Sequence, residues 1–275
     1  MFRTLSAAAA LVAAFASAGF VQSNRATNRD QFGRSADSWC GDGWNERRAT
    51  HCEVREATLP GTNPLDVDAG TNGGIRVRGW DRADVLVRTK ISASADSDAE
   101  ARQLVSGVRV DTTGGRVRAD GPAETGRHQN WSVSFEIQVP RTLQLTLNTR
   151  NGGISIDDFR GAARFHAQNG GVSLSNIGGD IRGDTTNGGL SVELSGDRWD
   201  GEGLDVETHN GGVRMTVPES YSAELETGTT NGSVSVDFPV MVQGRFGRRL
   251  NTTLGSGGAR VRVVTTNGGV TIRRR

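Results

Sequence analysis

The chain has 275 residues, 38 of them glycine, with few aromatic residues and a formal charge of +1. That length can bury one sizeable core or two domains, and the charge is ordinary. Glycine at about twice its usual share of ~7%, beside abundant Val, Thr and Ser, points to β structure with many tight corners and away from a helical protein.

The chain opens with "MFRTLSAAAALVAAFASAGF", in which a lone Arg3 precedes an apolar run and Ala16-Ser17-Ala18 forms an A-x-A cleavage site. Residues 1–18 therefore read as a secretory signal peptide cut after Ala18. The run is short and alanine-rich for an uncleaved membrane anchor, the alternative, and no later segment is apolar enough to span a bilayer. The expected address is the periplasm or the cell surface. Residues 19–62 read as a flexible leader followed by a segment closed by Cys40 and Cys52, the only cysteines. In an oxidising compartment this pair should form a disulfide. A metal site using Cys40, His51 and Cys52 is the competing reading, but it lacks an evident fourth ligand.

Residues 63–275 form the β-repeat domain. "LDVDAGTNGGIRVRGWDRADVLVRTKISAS" alternates apolar and polar positions, as half-buried strands do. "SDAEARQLVSG" breaks this pattern. Ser97 and Glu100 make a capping box and Gly107 a stop, which predicts one helix over 98–106. "NWSVSFEIQVP" returns to alternation.

One motif then recurs. Asn-Gly-Gly falls at Asn151-Gly152-Gly153, Asn169-Gly170-Gly171, Asn187-Gly188-Gly189, Asn210-Gly211-Gly212 and Asn267-Gly268-Gly269, with Asn231-Gly232 as a shortened copy and Asn72 as an early one. From Asn151 onward the steps are 18, 18, 23, 21 and 36 residues, the last being twice 18, and a period near 20 residues is the signature of a solenoid. Before the motif the apolar set is odd-numbered (Leu143, Leu145, Leu147); after it the set is even (Ile154, Ile156). The glycines thus shift the phase by one residue, as a corner or bulge does, and the expected reason for glycine is a backbone with φ > 0. A two-residue hairpin turn at each Asn-Gly, giving an antiparallel meander with Thr149 opposite Ile154, fits the local pattern as well. The return of the spacing to 18 and the recurring Asn and Thr favour a parallel β-solenoid (β-helix-like) of ~18-residue coils, with the Asn facing inward and bonding its counterparts above and below.

"CEVRE", "GIRVRGWDR", the serial "TTNGGV" coils and the ending "VQGRFGRRLNTTLGSGGARVRVVTTNGGVTIRR" resemble a bacterial family of exported β-strand-repeat proteins called "putative adhesin". The resemblance covers residues 40–275 and implies a β-solenoid in the cell envelope. It carries over no catalytic residue.

The chemistry-bearing candidates lie where the repeat is broken. Glu193, Asp197 and Asp200 cluster about the insert "GDRWDGE" with Trp199, on whose ring a sugar could stack. Residues 241–275 carry eight arginines and no acid, a basic pole in which Arg245, Arg248 and Arg249 occupy a glycine-rich stretch read as a long loop. Such a pole suits an anionic glycan, a lipid headgroup or nucleic acid, of which export leaves nucleic acid last and no nucleic-acid partner is expected, or it guards a sheet edge. No cofactor is implied, because the glycine-rich stretch lacks the P-loop lysine. The repeats lack the Asp of calcium-binding β-rolls, so no metal is implied either. The reading is a non-enzymatic exported envelope or surface scaffold that binds glycan, envelope or protein partners. The alternative is a carbohydrate-active enzyme using residues 193–200.

Overall fold

The computed structural model describes residues 33, 35–41, 48–123, 128–239 and 247–275. The expected signal peptide and Arg245 lie outside the described residues. In chain order the elements are α1 (Ala36–Cys40), β1 (Ala49–Pro60), β2 (Leu65–Asp68), β3 (Ile75–Trp80), β4 (Asp84–Ala95), α2 (Asp98–Gly107), β5 (Arg109–Asp111), β6 (Arg116–Asp120) and β7 (Asn130–Pro140). The repeats supply β8 (Gln144–Asn151), β9 (Ile154–Phe159), β10 (Ala162–Asn169), β11 (Val172–Ile177), β12 (Asp180–Asn187), β13 (Leu190–Glu193), β14 (Gly203–Asn210) and β15 (Val213–Val217). The chain closes with β16 (Ala223–Asn231), β17 (Val234–Val236), β18 (Arg249–Leu254), β19 (Arg260–Asn267) and β20 (Val270–Arg274).

Among the described residues the protein is all-β apart from two helices, and each Asn-Gly joins a strand of one sheet to a strand of the other. The first sheet runs β1-β4-β7-β3-β9-β11-β13-β15-β20-β17 and the second β18-β16-β19-β14-β12-β10-β8-β2-β6-β5. Both are mixed, but across the repeats every pairing is parallel at the motif step. Asn151 pairs with Asn169 and Asn169 with Asn187; Ile154 pairs with Val172 and Val172 with Leu190. This register excludes the antiparallel hairpin across each Asn-Gly. Columns of identical orientation follow. Leu145, Ala163, Ile181, Leu204, Val261 and Leu225 line one wall of the core, and Ile156, Leu174, Val192, Met215 and Ile272 line the other. All are buried.

The expected positive φ is found at the first glycine of two copies, Gly73 and Gly268, both at 156°, and at the other corners that glycine serves another purpose. Gly152, Gly170, Gly188 and Gly211 are not among the glycines with positive φ. A Cβ on Gly170 would instead stand 2.0 Å from the carbonyl oxygen of Gly152, and one on Gly188 2.1 Å from that of Gly170. Glycine is required because successive backbones touch there. The second glycine of each motif is far less constrained, since a Cβ on Gly171 meets its nearest atom, the Gly189 carbonyl oxygen, at 3.3 Å.

The asparagines do form a ladder. Nδ2 of Asn151 donates to Oδ1 of Asn72 (3.1 Å), Asn169 to Asn151 (2.8 Å), Asn187 to Asn169 (2.8 Å), Asn210 to Asn187 (2.9 Å), Asn267 to Asn210 (2.8 Å) and Asn231 to Asn267 (2.8 Å). It does not face inward as expected: Asn151, Asn169 and Asn187 are exposed, because the phase change at the corner carries them out of the core. The inward polar column is threonine. Thr185 Oγ1 donates to the Gly170 carbonyl (2.7 Å), Thr208 to that of Gly188 (2.6 Å) and Thr265 to that of Gly211 (2.7 Å).

Coils do not stack in chain order. The coil of β19 and β20 enters between that of β14 and β15 and that of β16 and β17. The 36-residue step is therefore a reversal and not two coils. The chain runs out to the end of the stack, turns back through β18, and fills the gap it left. The glycine-rich stretch read as a loop supplies that strand: β18 pairs antiparallel with β16 and buries Leu250, Thr252 and Leu254. The other end closes in the same way. The coil of β2 and β3 sits between that of β6 and β7 and that of β8 and β9. β4 then runs antiparallel on β7, and β1 antiparallel on β4.

Helix α2 matches the predicted span closely, with the Ser97 hydroxyl accepting from the Glu100 amide. Its last turn is capped by Arg55 of β1, which donates to the carbonyls of Val108 (2.9 Å) and Val105 (3.4 Å). The short helix α1 was not anticipated. The segment closed by Cys40 and Cys52 supplies the edge strand of the first sheet, β1, and a cover over it.

The glycine account separates two adjacent positions. Gly170→Ala should cost about 2–4 kcal/mol, whereas Gly171→Ala should fall within about 1 kcal/mol of wild type. Urea unfolding of the two variants checks this, and equal losses would contradict it.

Candidate interaction surface

The N-terminal segment is fixed by a Cys40–Cys52 disulfide with Cα atoms 5.7 Å apart. Both sulfurs are consumed in that bond, which removes the metal-site reading of Cys40, His51 and Cys52. The bond holds α1 on the outer face of the first sheet, where Lys90 Nζ donates to the Trp39 carbonyl (2.6 Å) and the Arg88 guanidinium lies 5.3 Å from the Trp39 ring centroid. Under this cover runs a row of alternating charge. Glu56 pairs with Arg88 (2.8 Å), Arg88 with Glu136 (2.8 Å) and Glu136 with Arg76 (3.2 Å), one residue from each of four adjacent strands. Glu136 is 2% exposed, so the row is a structural clamp and not a docking site.

The outer face of the second sheet is open. Asp205, Arg262 and Glu226 stand in register across β14, β19 and β16, as do Glu207, Val264 and Gly228. β18 sets Asn251 beside Glu226 and Arg249 beside Gly228. Because Gly228 projects no side chain, a groove of about 330 Å³ opens above it and Val264. Its walls are Asp184, Glu207, His209, Glu226, Arg249, Asn251 and Arg262 with threonines between them. Arg262 gathers the acids, reaching Asp205 at 2.6 Å, Glu207 at 3.2 Å and Glu226 at 3.6 Å. Burial pulls its pKa down, but the bonds and charges of Asp205 and Glu207 outweigh that and leave it above the usual value. Asp184 is matched by His166 at 2.8 Å. Among the described residues Arg249 has no ion pair, so it is the cation this groove presents.

The sequence-derived candidates divide. Arg249 lines the groove, and Arg248 donates to the Thr230 carbonyl on its flank (3.0 Å). The 193–200 cluster does not converge. Glu193 pairs with Arg275 on the outer face of the first sheet, Asp197 lies beside Arg198 (3.6 Å), and Asp200 stands 4.0 Å from Arg160. Trp199 offers no platform to a sugar: it is 5% exposed and its Nε1 donates to the Gly179 carbonyl (3.0 Å). The inserted loop folds its aromatic residue inward as a plug, because burying that ring removes more apolar surface from water than any neighbour could. Of the terminal arginines, Arg273 and Arg274 pair with Thr216 and Val217 of β15, while β17, the last strand of the sheet, pairs β20 only over Val270, Thr271 and Ile272. Sequence reasoning missed Arg262, Glu226 and Asn251. The alternation in "RLNTTL" was the available signal for β18, and with it for the groove.

Among the described residues no helix is long and apolar enough to cross a membrane, and no group of three His, Cys, Asp or Glu is placed to hold a metal ion. These stacked corners and facing sheets define an all-β repeat protein. The chain belongs to the Toastrack DUF4097 family, whose model matches residues 73–273. Among solved structures it is similar to a "putative cell adhesion protein" from Clostridium sporogenes ATCC 15579, at 12% identity and a TM-score of 0.39, covering 82% of this chain and 100% of that one. A "putative adhesin" from Bacteroides fragilis NCTC 9343 is also 12% identical, at a TM-score of 0.32, with 81% and 97% covered. A "putative lipid binding protein" from Parabacteroides distasonis ATCC 8503 is 12% identical, at a TM-score of 0.28, with 82% and 96% covered. No curated protein matches the chain.

Two outcomes test this geometry. Glu136→Gln leaves Arg88 and Arg76 facing a neutral amide under a dry cover and should cost about 3–5 kcal/mol in a thermal or urea melt; a loss below about 1 kcal/mol would show the row to be solvated. Tyr221, the sole tyrosine, lies 3% exposed beside the inserted loop. Burial pushes its phenol up to about 12, with Arg160 opposing and Asp197 adding. Absorbance at 295 nm should titrate near pH 12 instead of the ~10 of a free phenol. The folded pKa is raised, so this contribution to stability is whole below pH ~10 and is lost as the pH climbs towards 12.

Proposed function

We propose that this protein is a non-enzymatic, exported envelope or surface protein of adhesin-like character, in which a parallel β-solenoid of ~18-residue coils displays the groove about Arg249 to a glycan of the envelope. The groove carries this reading. It sets an arginine with no ion pair among the described residues, an asparagine and several threonine hydroxyls around a floor of Gly228 and Val264. Hydroxyl-rich, partly anionic chains are met by that chemistry. Parallel pairing at an 18-residue register supports the solenoid. The A-x-A site after an apolar run supports cleavage of residues 1–18, and the Cys40–Cys52 bond supports an oxidising compartment.

The test is binding of the mature protein to purified cell-wall and outer-envelope polysaccharide fractions, beside Arg249→Glu. Arg249 points outward from an exposed position, so the melt should not change. Binding by wild type with a loss of about tenfold or more in the variant, the worth of one charged hydrogen bond, supports the reading. Equal binding by both would remove the groove from it, and no binding to any fraction would remove glycan recognition.

A further inference from the structure

Seven Asn-Gly dipeptides are written into this chain, and the stack treats six of them alike and one differently. Asn-Gly is the sequence most prone to cyclise, because the glycine amide nitrogen can reach the asparagine side-chain carbonyl carbon without a Cβ in the way. In the stack, each Gly N–H must first be released from an acceptor. Gly73 donates to the carbonyl of Asn151 (3.1 Å), Gly152 to Asn169 (3.0 Å), Gly170 to Asn187 (2.9 Å), Gly188 to Asn210 (3.0 Å), Gly211 to Asn267 (2.9 Å) and Gly268 to Asn231 (3.0 Å). Every one of these acceptors belongs to the next coil outward. Asn231 lies on the outermost coil, so Gly232 has no such carbonyl, and among the described residues its N–H has no acceptor. The side chain is also less held. Asn231 Nδ2 donates to Asn267 Oδ1, but no further asparagine donates to Asn231 Oδ1 as each inner member does to its neighbour. Both Asn231 and Gly232 are exposed.

We propose that Asn231-Gly232 is a site of spontaneous deamidation and that the ladder protects the six inner Asn-Gly pairs. The Gly232 amide nitrogen loses its proton to hydroxide and attacks Cγ of Asn231. A C–N bond forms, the Cγ–Nδ2 bond breaks, and ammonia leaves with the proton it needs. Water then opens the five-membered succinimide. Addition at Cγ gives aspartate and addition at the backbone carbonyl gives isoaspartate. Aspartate puts a carboxylate where Asn231 donated to Asn267, and isoaspartate puts one at the backbone carbonyl that accepts from Gly268, with Arg248 held close by on the Thr230 carbonyl. The modification therefore sets a negative charge at one end of the stack, at the bonds that join the coil of Asn231 to that of Asn267.

The seven dipeptides fall in seven different tryptic peptides, so the full chain reports on all of them at once. The folded protein is held at 37 °C and mildly alkaline pH in ¹⁸O-water, sampled over weeks, digested, and weighed peptide by peptide; isoaspartate is counted with a protein carboxyl methyltransferase. A parallel sample is held unfolded in urea. The expected result is conversion at Asn231 roughly tenfold or more faster than at any other Asn-Gly in the folded protein, with the seven rates drawing together in urea. The proposal is overturned if an inner Asn-Gly keeps pace with Asn231 in the folded protein. It is equally overturned if Asn231 stays intact there while it converts in urea.

Discussion

Successive coils of this protein touch backbone to backbone at the first glycine of each motif, and the rest of the structure depends on that contact. The carbonyl of Gly152 would lie 2.0 Å from a Cβ on Gly170, so no other residue lets the coils close to strand-pairing distance there. Once they close, the flanking residues have fixed partners. The threonine two before the asparagine reaches the glycine carbonyl of the coil below, the asparagine amides chain together, and the aliphatic residues two and four after the first glycine stack into one wall of the core. One steric requirement thus imposes the register on both sheets. A sheet slipped by one residue would turn its apolar column to solvent.

The open ends of such a stack are its weakness, because an unpaired strand is a template for aggregation. Both ends are managed by the same device. The chain goes past its final position, lays down antiparallel strands, and returns to fill the gap, so the repeats are flanked by β4 and β1 at one end of the first sheet and by β18 at one end of the second. At the N-terminal end the disulfide adds Trp39 as a lid beside Arg88, and the burial of Arg88 and Glu136 strengthens their pairing. At the other end the same return sets β18 beside β16, which creates the groove above Gly228 and places Arg249 on its rim.

The repeat was legible in the sequence because stacking rewards identity. The 18-residue step, the shift from odd to even apolar positions across Gly152-Gly153 and the recurring threonine all survive as structure. The helix was legible from Ser97 and Glu100 for the local reason that a cap is a short-range bond. Coil order was not, because a 36-residue step has the same length whether the chain advances two coils or turns back. The orientation of the asparagines failed for a related reason: parity continues their column inward, but the corner turns them out after Thr149. Trp199 was misplaced because composition marks a broken repeat without telling which of its side chains the core takes back. The groove was invisible because its walls come from β12, β14, β16, β18 and β19, segments more than 70 residues apart at their extremes.

The groove about Arg249 and the asparagine ladder both depend on parallel stacking, so the register is the point to test. Two-dimensional ¹⁵N- and ¹³C-edited nuclear Overhauser spectra of the labelled mature chain measure it without a crystal. The account expects cross-strand contacts from Leu174 to both Ile156 and Val192, at a separation of 18 residues in each direction. Contacts instead between Thr149 and Ile154, paired across Asn151-Gly152 as in a hairpin, would contradict it.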